Sequence, residues 1–210
     1  MDLLKDVRVD WITIESAEDR HTRMNTLFET LGFRNSRQIN GEIADKENKT
    51  FIEIQNEKNH KVADSHIFSL EKPGHVLILE DDVWFTHSFN PILSHIPEDA
   101  DAVYIGTSVN GMVDGISTPG GTQIAIIDEY WDKPLNMLGL HSILYLTESY
   151  KEKTIQNLLK ARENDMFCDE PVAIDMSNHN IYSCVFPMLY QKDGYNDQVT
   201  TIPLRAIQKN

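Results

Sequence analysis

A chain of 210 residues with 40% hydrophobic and 25% charged content matches a globular protein of one domain, or one domain with a small appendage. Its net charge of −14 disfavours a nucleic-acid backbone as partner, because phosphate contacts need Lys/Arg patches and no dense basic run is present. The longest apolar runs, 76–79 and 124–127, are far too short to span a membrane, and the opening MDLLKD lacks a signal-peptide core. A cytoplasmic location without a transmembrane segment is therefore expected. Cys168 and Cys184 form no C-x-x-C and are expected as free, packed thiols.

In chain order, residues 7–15 (VRVDWITIE) are rich in β-branched and aromatic side chains and predict a first strand. Ser16 with Glu18 and Asp19 predicts a helix N-cap and an acidic first turn. Met24, Leu27, Phe28 and Leu31 recur at helical spacing until Gly32 ends the pattern. Asn40-Gly41 is a turn signal, and 42–60 is polar and weakly patterned, a loop or a short exposed helix. Residues 61–70 predict a short helix closed by Pro73-Gly74. A strand over 75–83 and another over 100–106 follow. Residues 107–120, with Gly111, Gly115, Pro119 and Gly120, predict a long loop near the site. Further strands are expected at 123–127 and 142–146. Ser149 with Glu152 forms a capping box before a helix whose apolar stripe is Ile155, Leu158 and Leu159. A last strand lies in 181–190, where Pro187 argues for an edge or a strand end. The tail, 191–210, is polar with few anchors. Strands alternating with helices predict an α/β fold with a mostly parallel central sheet flanked by helices.

The densest chemical signal is HVLILEDDV at 75–83. Its apolar part reads as a strand buried on both faces. Three adjacent carboxylates repel one another and are costly to desolvate unpaired, so they fit the strand's end, where a divalent cation can neutralise them. Ligands of open α/β sheets bind at that end. Because side chains alternate along a strand, Glu80 and Asp82 face one side and Asp81 the other. That spacing suits oxygen coordination of Mn²⁺ or Mg²⁺. Asp82 is the expected direct ligand, with Glu80 contacting metal, water or ribose. Asp81 divides evenly between ligation and capping a neighbouring turn. The competing reading of the whole run is an acidic strand end that faces water.

Three blocks in order resemble glycosyltransferase family 25, the lipopolysaccharide and procollagen galactosyltransferase group. The first is Ile12-Thr13-Ile14-Glu15, then Asp19-Arg20 and Arg23-Met24, with Gln38-Ile39-Asn40-Gly41 closing the unit. The second is Ser65-His66-Ile67 followed by Leu77-Ile78-Leu79-Glu80-Asp81-Asp82-Val83. The third is Leu144-Tyr145-Leu146, an acid near 169, and Phe186-Pro187-Met188-Leu189-Tyr190-Gln191. The resemblance implies a single GT-A transferase domain over 1–210. It also implies a UDP-sugar donor carrying galactose or glucose, a saccharide or glycoconjugate acceptor, and Mn²⁺ or Mg²⁺ on the diphosphate. It places Thr13, Ile14 and Glu15 at the nucleotide base and ribose, and Ser65 and His66 beside the donor.

Arg20 can approach the diphosphate, since arginine forks match phosphate oxygens; for Arg23 a solvated helix face is the favoured reading. An inverting transferase needs a carboxylate to take the acceptor hydroxyl's proton. The resemblance puts Asp169 there, with Glu170 second, against the alternative of a helix N-cap acid. It also puts Gln191 where related transferases carry a third metal ligand. His141 either lines the acceptor side or sits in a surface loop. Two other functions stay open, a metal-dependent phosphohydrolase and a non-catalytic nucleotide-sugar-binding remnant. Asp101 and Asp128 do not supply obviously equivalent acids for the former, and no G-x-S-x-G elbow supports a serine hydrolase.

Overall fold

The computed structural model describes residues 7–85, 95–110, 112–113, 116–117, 121–191, 199–200 and 203–207. In chain order the elements are β1 (Arg8–Ile14), α1 (Glu18–Leu31), β2 (Ser36–Gly41), α2 (Phe51–Leu70), β3 (Val76–Glu80), β4 (Val83–Phe85), β5 (Ala102–Tyr104) and β6 (Thr107–Ser108). They continue with β7 (Met112–Val113), β8 (Ile116–Ser117), β9 (Gln123–Ile126), β10 (Trp131–Asn136), β11 (Ser142–Tyr145), α3 (Glu148–Glu163) and α4 (Glu170–Asp175). A 3₁₀ turn, Met176–Asn178, leads to β12 (Ile181–Cys184), β13 (Leu189–Gln191), β14 (Val199–Thr200) and α5 (Leu204–Ile207).

Eight strands form one sheet in the order β2-β1-β3-β11-β5-β12-β10-β9. Strands β1, β2, β3, β5, β9 and β12 run one way, and β10 and β11 run against them. The fold is thus α/β with a mostly parallel central sheet flanked by helices. Strand β3 shows how sequence dictates this: Val76, Leu77, Ile78 and Leu79 are all fully buried. Leu77 and Leu79 join Val9, Trp11, Met24 and Phe28 beneath α1. Val76 and Ile78 join Ala63, Leu70, Tyr150 and Leu158 beneath α2 and α3. Each such side chain contributes about 1.5–3 kcal/mol by leaving water. Leu77→Ala is accordingly expected to cost about 2–5 kcal/mol in urea unfolding.

Several elements depart from the sequence-based expectation. Residues 36–41 form the edge strand β2 instead of ending in a turn at Asn40-Gly41; Ile39 is its only fully buried side chain, so no alternation betrays it. Helix α2 begins at Phe51, ten residues before the expected start, and Phe51 is 81% exposed, so an apolar stripe is missing there. Its start is fixed by a capping box: Thr50 Oγ1 accepts from Glu53 N–H at 3.3 Å, and Glu53 Oε2 accepts from Thr50 N–H at 2.7 Å.

The N-cap of α1 is Ala17, one residue after Ser16, and has no side-chain cap. Gly32 ends that helix in the left-handed region at φ 75°. The N-cap of α3 is Thr147, not Ser149; its Oγ1 accepts from Tyr150 N–H at 3.3 Å. The buried stripe of α3 runs through Tyr150, Thr154, Leu158 and Ala161, leaving Leu159 exposed.

Strand β10, which the sequence-based expectation lacks, carries Pro134 where the ladder to β9 shifts register between Pro134 and Asn136. Pro187 lies between β12 and β13, a strand end, while β12 itself sits inside the sheet. The tail is anchored: Leu204 is buried, and Arg205 pairs with Asp132 while donating to the Trp131 carbonyl at 3.1 Å. Within the expected long loop, β6, β7 and β8 form short ladders; Gly111, Gly115, Pro119 and Gly120 lie outside the described residues. Among the described residues both cysteines are free, and no helix is long and apolar enough to cross a membrane.

Candidate active site

The site forms at the C-terminal ends of β1 and β3. After Glu80 the chain turns through Asp81 and Asp82 into β4, which pairs antiparallel with β13 and sets Val83 opposite Gln191. This ladder brings together residues 109 and 111 positions apart. The Gln191 amide Nε2 donates to Glu80 Oε2 at 3.3 Å, and to Asp82 Oδ1 and Oδ2 at 3.3 and 3.2 Å. Glu80 and Asp82 therefore converge on one point.

Asp81 turns the other way and is buried. Its Oδ2 accepts from Thr13 Oγ1 at 2.5 Å and its Oδ1 from Arg20 Nη1 at 2.7 Å. Arg23 donates to the Asp81 carbonyl, and its guanidinium lies 4.4 Å over the Trp84 ring, so it is not a solvated helix residue. Thr13, Arg20 and Asp81 thus tie the end of β1 to α1 and to the acidic turn. The Ile14 carbonyl accepts from His21 Nε2 at 3.0 Å, and Glu15 is exposed beyond the strand. Asp81→Ala removes the carboxylate to which Thr13 and Arg20 donate and is expected to cost about 1–3 kcal/mol of stability, read by denaturant titration.

His66 on α2 is fully buried, with Nε2 3.5 Å from Glu80 Oε1. Ser65, its neighbour, faces elsewhere: Ser65 Oγ donates to the Lys61 carbonyl at 3.0 Å and lines a separate hollow between β2 and α2 with Arg37 and Phe68. The Ser-His pair is therefore split between two places.

A cavity of about 500 Å³ opens beside this cluster and is walled by Glu80, Gln191, His141, Asp169 and Glu170. Asp169 sits at the N-cap position of α4 but makes no cap bond. Its Oδ2 instead accepts from the Gly139 N–H at 2.8 Å. Gly139 holds φ 106°, a backbone that L side chains resist. His141 is 3% exposed, a wall of the cavity and not part of a surface loop. A Cβ at Gly106 would fall 2.8 Å from its Nε2, and one at Gly139 would fall 3.1 Å from its Nδ1, so two glycines make room for the ring. Cys168 also lines the cavity; burial, then the charges of Asp169 and Glu80, push its thiol pKa up, which keeps it protonated and unreactive.

The sequence reading missed the α2 wall, where Gln55, Lys58, Asn59 and Val62 line the cavity. The overlooked signal was Thr50-Phe51-Ile52-Glu53, whose capping box marks the helix start. Asp101, considered for a phosphohydrolase, accepts instead from Thr147 Oγ1 and Asn180 N–H at 2.8 and 3.0 Å.

Electrostatics separate the acids. Burial is the largest influence on Glu80 and opposes its ionisation, yet His66, His141 and Lys58 together hold the pKa below the ordinary value. Burial, and then the charge of Glu80, push Asp82 up to about 7. Burial also raises Asp169, against the pull of the Gly139 N–H. A raised folded-state pKa means that the stability Asp82 confers is present at low pH and is lost as pH rises through about 7. Metal-free Asp82→Asn is therefore expected to lose less stability than the parent between pH 5 and about 8 in parallel denaturant titrations.

Among the described residues no three His, Cys, Asp or Glu side chains form a ready-made metal site. Two carboxylates converging on one amide nitrogen do mark a point that a hard cation can occupy in place of that N–H₂ group, with Glu80 and Asp82 as its oxygen donors. The donor set fits Mn²⁺ or Mg²⁺, which routinely complete their shells with water and phosphate oxygens.

No family model matches the chain, and no curated protein matches it in sequence. Its structure is similar to that of a CTP:phosphocholine cytidylyltransferase from Streptococcus pneumoniae, at 9% identity and TM-score 0.45, covering 91% of this chain and 95% of that one. It is also similar to a nucleoside-diphosphate-sugar pyrophosphorylase from Vibrio cholerae RC9, at 10% identity and TM-score 0.41, covering 93% and 81%. Likeness at this level says nothing of what this chain binds or turns over.

Proposed function

We propose that the chain is a metal-dependent glycosyltransferase of GT-A type, a single domain that moves a hexose, galactose or glucose, from a UDP-sugar to a hydroxyl of a saccharide or glycoconjugate with inversion. The observation that carries this reading is that Glu80 and Asp169, 89 residues apart, wall the same 500 Å³ cavity, with Asp82 held to Glu80 through Gln191. An acidic pair at a strand end beside a third, separate carboxylate is what a diphosphate-sugar transfer needs: one place for the donor's charge and one for the acceptor's proton.

In this reading Glu80 and Asp82 would hold Mn²⁺ or Mg²⁺, and the Gln191 amide would turn over to present its oxygen in place of the N–H₂ it now directs at both carboxylates. The bound cation would act as a Lewis acid that offsets the charge developing on the departing nucleotide diphosphate. Asp169 takes the acceptor hydroxyl's proton, aided by burial that raises its basicity, while the Gly139 N–H fixes which oxygen stays free. Glu170 adjoins it at the same cavity wall. Arg20 is spoken for by Asp81 and acts by holding the acidic turn in place. His66 orients Glu80 from behind.

The reading is tested by incubating the protein with UDP-galactose and UDP-glucose, each with Mn²⁺ and with chelator. Metal-dependent release of UDP is expected for one of them. Metal-dependent hydrolysis of p-nitrophenyl phosphate with both UDP-sugars left intact would instead indicate a phosphohydrolase.

A further inference from the structure

We propose that the part of the cavity around Phe167 and Asp169 is a subsite for an uncharged pyranose ring, with Phe167 as its stacking floor. The inference rests on the transferase reading above and names the acceptor end of that cavity.

Phe167, Cys168, Asp169 and Glu170 form one tight turn, closed by the Glu170 N–H donating to the Phe167 carbonyl at 3.1 Å, and all four line the cavity. Within that turn Phe167 remains 51% exposed, so its ring joins neither core layer and stays available at the cavity. The same cavity lining supplies amides, Gln55 and Asn59 of α2. A pyranose has one face of C–H groups and a perimeter of hydroxyls. An aromatic ring beside carboxamides and carboxylates matches both, since the ring covers the C–H face while amides and carboxylates donate to and accept from hydroxyls.

Charge decides which sugar. Among the described lining residues Glu80, Asp169 and Glu170 are acids and Lys58 is the one permanent cation. An anionic ring would therefore meet net repulsion, whereas a neutral one meets none. A diphosphate needs a cation between it and these acids, which assigns it to the Glu80–Asp82–Gln191 end and leaves the Phe167 end for the neutral ring.

The experiment is saturation-transfer NMR on the full chain with methyl β-galactopyranoside, methyl β-glucopyranoside and the methyl glycoside of galacturonic acid. At least one neutral glycoside is expected to receive saturation and the uronate none. Phe167→Ala should weaken neutral binding about tenfold. Phe186→Ala, an equally exposed phenylalanine outside the cavity, should leave it unchanged. Wild-type binding by Phe167→Ala, uronate binding as strong as neutral, or no transfer to either neutral glycoside would each overturn the subsite. Titrating UDP with Mn²⁺ into wild type and Phe167→Ala separates the two readings. UDP binding retained in both, with any of those three results, overturns the subsite alone, whereas no UDP binding to wild type overturns the transferase reading beneath it.

Discussion

Asp169→Asn is expected to lower kcat for transfer by about 10²–10⁴-fold while leaving Mn²⁺-dependent UDP affinity within a few-fold of the parent. The amide keeps the shape and can still accept from the Gly139 N–H, but it cannot take a proton. Loss of kcat without loss of donor affinity is the signature of a base, because the group acts on the acceptor after the donor is seated. The parent rate should rise with pH through a value above the ordinary aspartate range, because burial, and the charges of Glu80 and Glu170, disfavour ionised Asp169. Steady-state kinetics with saturating UDP-sugar check both statements. Equal loss of kcat in the Glu170→Gln variant, with Asp169→Asn active, would move the role one residue along the turn.

Asp82→Ala is expected to weaken Mn²⁺ affinity by on the order of 100-fold or more, since even outer contacts of a metal site are worth 10–100-fold. UDP affinity should fall with it, because a diphosphate cannot approach Glu80 and the neighbouring acids without a cation between them. Asp82→Asn should behave alike. Asp81→Ala, by contrast, should lose stability with a smaller effect on metal, since the Asp81 carboxylate is committed to Thr13 and Arg20. The contrast between adjacent aspartates is the sharp part of this expectation. Manganese titration followed by electron paramagnetic resonance reads it directly, and equal metal affinity in both variants would contradict it.

The strand at the heart of this site could be read from the sequence because its signal is local. Four apolar residues run straight into three acids, so burial, strand type and the alternation of Glu80 and Asp82 against Asp81 all follow from neighbours in the chain. Residues 36–41 and 51–60 resisted reading for the opposite reason. Strand β2 buries little and pairs on one side only, and the first half of α2 carries exposed Phe51 and Ile52 where an apolar stripe would be expected. The cavity wall that α2 supplies was hidden with it.

Gln191 and His141 show a different limit. Gln191 reaches Glu80 and Asp82 only through the β4–β13 ladder, a long-range pairing without local sequence trace. A resemblance to a family's block pattern pointed at that position, whereas periodicity did not. For His141 a surface loop was the favoured reading, because the glycines that make room for its ring stand at 106 and 139, one of them 35 residues away. Asp169 lies between these cases: a helix-start acid was visible in the sequence, but its use of the Gly139 N–H in place of a cap bond required the fold.

Calorimetric titration of UDP into the unaltered protein, with Mn²⁺ and again with chelator, decides whether a cation holds a nucleotide diphosphate at the acidic turn. Saturable binding with Mn²⁺ that vanishes with chelator is the predicted result. No heat of binding under either condition, from protein shown to be folded, or binding indifferent to the metal, would contradict a UDP-sugar site at Glu80, Asp82 and Gln191.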